Sequence, residues 1–183
     1  MKKLATLLLL LVTINGYSQK ESGFAFSIDG GTGISGRNNV QRYSPLLLNV
    51  MLGIKSYNGV FSVGGGVDRY SAVSFTPQGN FRENFSNLSV FLDYHSNILK
   101  DDELNVILPQ VYGRIGIDNN AESGDKNFNI LFELGGGVKF FFSEHAAVFG
   151  GVGIKALKNI VDDTQLALGT QYFTMLRIGL VIM

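Results

Sequence analysis

The chain has 183 residues, among them 23 glycines, 14 phenylalanines and 7 tyrosines, with 15 basic and 15 acidic side chains and no cysteine. The lack of cysteine excludes disulfides, thiolate metal sites and a lipid-modified cysteine anchor. Zero net charge speaks against a nucleic-acid partner, and the length allows one domain and little more.

At the N-terminus, Lys2 and Lys3 precede an apolar run from Leu4 to Ile14 that only Thr6 and Thr13 interrupt, and Gly16 and Ser18 supply small residues after it. This tripartite pattern predicts a secretory signal peptide over residues 1–18, cleaved between Ser18 and Gln19. The run falls short of the roughly 20 apolar residues of a transmembrane helix. The mature domain, residues 19–183, then holds 13 basic and 15 acidic side chains.

From there on the apolar period is two, the signature of strands with two unlike faces. Eight strands are predicted, over 23–34, 44–56, 60–70, 85–96, 105–117, 127–142, 146–157 and 171–183. In the second, Leu46, Leu48, Val50, Leu52 and Ile54 alternate with Asn49, Met51, Gly53 and Lys55. In the fourth, Leu88, Val90, Leu92 and Tyr94 alternate with Asn87, Ser89, Asp93 and His95. The sixth sets Phe128, Ile130, Phe132, Leu134 and Val138 against Asn129, Glu133 and Lys139, and the last sets Leu176, Ile178, Leu180 and Ile182 against Arg177 and Gly179. Such runs exceed the usual soluble strand of about 5–6 residues and match the ~9–11 residues that cross a bilayer at a tilt.

Connections predicted as short (Tyr57–Gly59 with its Asn-Gly turn, Leu99–Glu103, Ser143–His145) alternate with longer polar ones at Ser35–Tyr43, Ser71–Asn84, Asp118–Lys126 and Lys158–Thr170. Alternating short turns and long loops is the asymmetry of bacterial outer-membrane barrels, and it predicts both chain ends on the periplasmic side. Asp29, Lys55, Asp68, Asp93, Arg114, Glu133, Lys139, Lys155 and Arg177 all fall by parity on the polar face of their strands. An Arg or Lys facing lipid at the midplane costs about 2–4 kcal/mol, so the polar face is expected inside.

An eight-stranded interior is filled by side chains. Asp29 and Arg177 are expected to bridge the seam between first and last strands. Glu133 and Lys155 are expected at one height, with Arg114 nearby and Asp68 in the same interior network, whose role is read as structural. Aromatics near strand ends (Tyr57, Phe61, Tyr94, Phe140, Phe142 on one side, Tyr43, Tyr70, Phe128, Tyr172 on the other) are expected to form interfacial girdles. Glycine clusters at 30–31, 64–66, 135–137 and 150–151 mark curvature or close approach, and Pro109 costs a ladder bond or sits at a bulge.

Motifs for chemistry are weak. Gly31-Thr-Gly-Ile-Ser-Gly36 fits G-x-G-x-x-G, but Arg37, Asn38, Asn39 and Pro45 follow without the helix a dinucleotide site needs. His95 and His145 lack ligand spacing, so no metal or other cofactor is expected. His95-Ser96-Asn97 faintly resembles the His-x-Ser-Asn stretch of lipid A deacylase barrels, but adjacent strand residues point to opposite faces. No catalytic residue is assigned.

A signal followed by glycine-clustered strands such as Leu134-Gly-Gly-Gly-Val-Lys-Phe-Phe-Phe142 and a final alternating strand resembles the outer-membrane β-barrel domain proteins typical of Bacteroidetes, porin-family barrels akin in shape to the small OmpA and OmpX barrels. The resemblance implies an all-β, eight-stranded antiparallel up-and-down transmembrane barrel in the outer membrane of a Gram-negative bacterium. Its partners would be outer-membrane lipids and the barrel-insertion machinery. The function it implies is non-enzymatic: membrane integrity, adhesion through external loops, or at most passage through a narrow pore. Two alternatives stay open, a lipid-acting barrel of deacylase type and a soluble periplasmic binder of lipocalin type with its apolar face inward.

Overall fold

The computed structural model describes residues 23–35, 41–56, 59–76, 79–98, 106–120, 128–143, 145–159 and 170–183. The signal peptide expected over 1–18, its cleavage site and the girdle residue Tyr57 lie outside the described residues.

Eight strands follow one another: β1 (Gly23–Ser35), β2 (Gln41–Ser56), β3 (Gly59–Thr76), β4 (Gly79–Asn97), β5 (Ile107–Asn120), β6 (Phe128–Ser143), β7 (Ala146–Asn159) and β8 (Gln171–Ile182). Each pairs antiparallel with its sequence neighbours, and β1 also pairs with β8, so the sheet closes into an up-and-down barrel. Closure removes the unpaired edges that an open sheet exposes. Every strand expected from alternation is present. The ladder between β6 and β7 shifts register between Phe141 and Ser143, a bulge beside the tight turn that precedes Ala146.

The connection between β3 and β4 differs from expectation. Residues 71–76 and 79–84 continue β3 and β4 as a paired ribbon, down to Thr76 opposite Gly79, where a long loop is expected. Gly79 has a φ of +136°, a conformation that side-chain-bearing residues rarely adopt, so it serves the reversal. Pro109 stays within β5 opposite Val138 with no register shift, so of the two expected outcomes it costs a ladder bond, and its carbonyl accepts a hydrogen bond from the Ile98 N–H at 2.9 Å.

The two faces of the wall differ sharply. Met51 is 1% exposed and its neighbour Leu52 67%; Arg177 is 3% exposed and its neighbour Ile178 65%. Leu, Ile, Val and Phe side chains cover the outside of all eight strands, while Asp29, Asp68, Asp93, Arg114, Glu133, Lys139, Lys155 and Arg177 are buried inside. Burying one large apolar side chain is worth about 1.5–3 kcal/mol, and soluble monomers rarely expose contiguous apolar patches above a few hundred Å². A belt encircling the molecule is therefore a surface suited to hydrocarbon. A lipocalin-like arrangement, apolar inward, is not the one this chain adopts.

Inside, large side chains lie over glycines. Tyr112 on β5 crosses a floor made by Gly135, Gly151 and Gly153; a Cβ at Gly135 or Gly153 would collide with its ring or hydroxyl. This is how a narrow barrel admits a tyrosine among charged groups.

Candidate functional site

The lumen holds the chemistry-bearing side chains, placed there by strand parity. Arg177 on β8 donates from Nη1 to Asp29 Oδ1 at 2.9 Å, and pairs through Nε and Nη2 with both carboxylate oxygens of Glu133 on β6. Asp29 on β1 also accepts from Arg114 Nη2 on β5 at 2.9 Å and from the Asn49 amide. Arg114 donates from Nε to Asp93 Oδ1 at 2.9 Å and lies 3.9 Å over the Phe91 ring. The second oxygen of Asp93 meets His95 Nε2 at 3.0 Å. Tyr112 donates to Glu133 Oε1 at 3.3 Å and stacks on His95 with ring centroids 5.3 Å apart. The chain His95–Asp93–Arg114–Asp29–Arg177–Glu133–Tyr112 thus returns to its starting point.

A second cluster sits towards the end away from the termini. Lys155 on β7 pairs with Asp68 on β3 and donates to the Tyr70 hydroxyl at 3.1 Å, while Tyr70 donates to Asp68 Oδ2 at 3.3 Å. Asn87 donates to Asp118 beside it. In a ring of eight, β1 faces β5 and β3 faces β7. Asp29–Arg114 and Asp68–Lys155 therefore cross the lumen along two different diameters.

The structure brings Asp29 and Arg177 together across the seam, as expected. It also brings Arg114 into contact with Asp29, and it sets Glu133 level with both Lys155 and Arg114, as expected, without pairing Glu133 and Lys155. These two are direct cross-strand partners, yet Glu133 takes Arg177 and Lys155 reaches across to Asp68. Charges deep in a protein persist when paired and hydrogen-bonded, and each carboxylate here meets a cation or amide donor. Asp118 and His95 join the interior, so five buried carboxylates face Arg114, Lys139, Lys155, Arg177 and the His95 ring. Asp118 falls in a segment expected as a loop, but β5 extends through it and its parity with Arg114 turns it inward.

Beyond the charges lies an apolar cluster: Leu47, Tyr70, Leu131, Leu157, Phe173 and Met175, with Tyr43 and Phe85 against it. The Tyr70 and Phe85 rings stack at 5.1 Å. Tyr43 and Tyr70, expected in an outer girdle, are inside; Phe61, Tyr94, Phe128, Phe140, Phe142 and Tyr172 remain exposed on the outer wall. At the end bearing the termini, a small recess of about 10 Å³ is lined by Ser27, Ser62, Asp93, His95 and Lys139 with Val60, Phe149 and Val181.

His95 has both ring nitrogens engaged, Nε2 with Asp93 and Nδ1 with Gln110 Oε1 at 3.3 Å. Ser96 follows it on the opposite face, so the pair does not form a nucleophile and its base. His145 is exposed at the β6–β7 turn. Among the described residues no three His, Asp or Glu side chains are grouped to hold a metal ion. Gly31 and Gly33 lie within β1, and the next element is β2, not the helix of a dinucleotide site.

No family model matches the chain, and no curated protein does. Among solved structures it is similar to Neisserial surface protein A (NspA), with a TM-score of 0.60 and 11% identity over 89% of this chain and 99% of that one. It is also similar to the outer membrane enzyme PagL, with a TM-score of 0.50 and 15% identity over 84% of this chain and 97% of that one. At such identities the likeness shows a shared eight-stranded barrel fold.

Proposed function

We propose that the chain is an integral outer-membrane barrel that seals its own lumen, a non-enzymatic wall element whose connections at the end away from the termini face the outside. Membrane integrity or adhesion is then its work, with outer-membrane lipids and the barrel-insertion machinery as its partners and both termini in the periplasm. One observation carries this reading: charged pairs span the lumen along two diameters, with an apolar cluster stacked beyond them. A solute would have to break buried ion pairs and displace Tyr70 and Phe173 to pass. The apolar belt supports the membrane setting, and the solved outer-membrane barrels of like shape support it further.

The test is electrical. Reconstituted into planar bilayers, the protein should give no steady stepwise ion conductance under an applied voltage. Reproducible unitary steps from the purified protein would overturn the sealed-lumen reading and favour a narrow pore.

A further inference from the structure

Among the described residues, the outer wall carries charge of one sign, at one end. Every carboxylate whose side chain is described (Asp29, Asp68, Asp93, Asp118 and Glu133) is buried in the lumen. Arg69 on β3, Arg82 on β4 and Lys158 on β7 are exposed, all towards the end away from the termini. Two of the three lie on the ribbon formed by β2, β3 and β4.

The ladder register gives that surface its layout. The row Leu48–Val67–Leu88 is wholly apolar and belongs to the belt. The next outward row is Leu46–Arg69–Ser86, the next Ser44–Ser71–Asn84, and in the next Val73 stands opposite Arg82. Within one row the wall therefore turns from hydrocarbon-like to cationic, and Ser44 and Asn84, both exposed, then lie between Arg69 and Arg82. Four residues separate their rows, which at about 3.4 Å per residue is roughly 14 Å along the strand. Three strands make the tract about 10 Å wide.

A ligand matched to this surface has anionic groups spaced along a polar body and apolar chains descending from it. Arginine's planar fork suits phosphate oxygens, and the belt directly beneath suits acyl chains. We propose that the outer face of β2–β4, centred on Arg69 and Arg82, binds the phosphorylated headgroup of an acylated glycolipid of the outer leaflet. The proposal rests on the outer-membrane reading above, because the tract meets lipid headgroups only if the belt lies in the bilayer.

Native mass spectrometry of the folded protein, released from mixed micelles of lipid A and phosphatidylcholine, tests it. The wild-type barrel should retain lipid A in preference to phosphatidylcholine and to the dephosphorylated form of the same glycolipid. Arg69→Gln and Arg82→Gln should each lower retention roughly fivefold, from about 1 kcal/mol per basic side chain at an anionic surface. Lys158→Gln, which removes an outward cation away from the tract, should leave retention unchanged. Equal retention by wild type and the Arg69→Gln/Arg82→Gln double variant overturns the site, as does complete displacement of the glycolipid by inorganic phosphate, which would make the site one for the free anion. Each protein is checked for a faster-migrating unboiled band on SDS gels. A wild-type protein without that shift removes the membrane reading itself, whereas an intact shift with no lipid preference removes the site alone.

Discussion

Arg177→Met should destabilise the folded barrel by about 3–5 kcal/mol, measured as a lower urea midpoint for folding into lipid vesicles. The cost does not come from lost packing, since Met fills much of the same space. It comes from Asp29 and Glu133, both buried, of which Glu133 loses its bidentate partner and Asp29 keeps Arg114 and Asn49 alone. Removing the charges in step is therefore expected to recover part of the loss. In a double-mutant cycle, Asp29→Ala with Arg177→Ala should show a coupling of about 0.5–3 kcal/mol, each single change hurting more than the pair adds. A cycle without coupling would show that the seam does not depend on this ion pair.

The neighbouring residue gives the second large effect, for the opposite reason. Ile178 points outward and is 65% exposed on the protein surface, so Ile178→Arg would place a guanidinium in hydrocarbon near mid-wall. The expected penalty is about 2–4 kcal/mol, against about 0–1 kcal/mol for Thr174→Arg, which lies on the same face of β8 nearer the barrel rim. Both variants are compared by folding yield into vesicles. Equal yields would mean that the outer face does not lie in a bilayer.

The strands were legible because a bilayer on one side and a polar lumen on the other impose an alternation that loops and helices do not share. Where that constraint lapses, so does the signal. Residues 71–76 and 79–84 form a ribbon past the apolar rows, and Ser71, Asn80, Arg82 and Asn84 carry no period-two code, so they read as a loop. Tyr43 and Tyr70 illustrate a conflict between two rules. Proximity to a strand end places them in an aromatic girdle, whereas parity with Asp68 places Tyr70 in the lumen, and the structure follows parity. The choice of partners inside lies beyond strand pattern altogether. Register sets Glu133 beside Lys155, but a lysine side chain can reach across a narrow barrel, and which carboxylate it meets depends on how closure brings β3 opposite β7. The tract on β2–β4 was equally hidden, because Arg69 and Arg82 come to share one face and one end of the wall only through ladder register.

Heat modifiability tests most directly whether the chain forms a closed barrel with its apolar face in lipid. The mature chain is refolded into detergent micelles, and boiled and unboiled samples are run side by side on SDS gels, with circular dichroism to record β structure. The predicted result is an unboiled band that migrates faster than the boiled one and a β-type spectrum. A chain that stays monomeric and soluble without detergent, with identical migration before and after boiling, would contradict it.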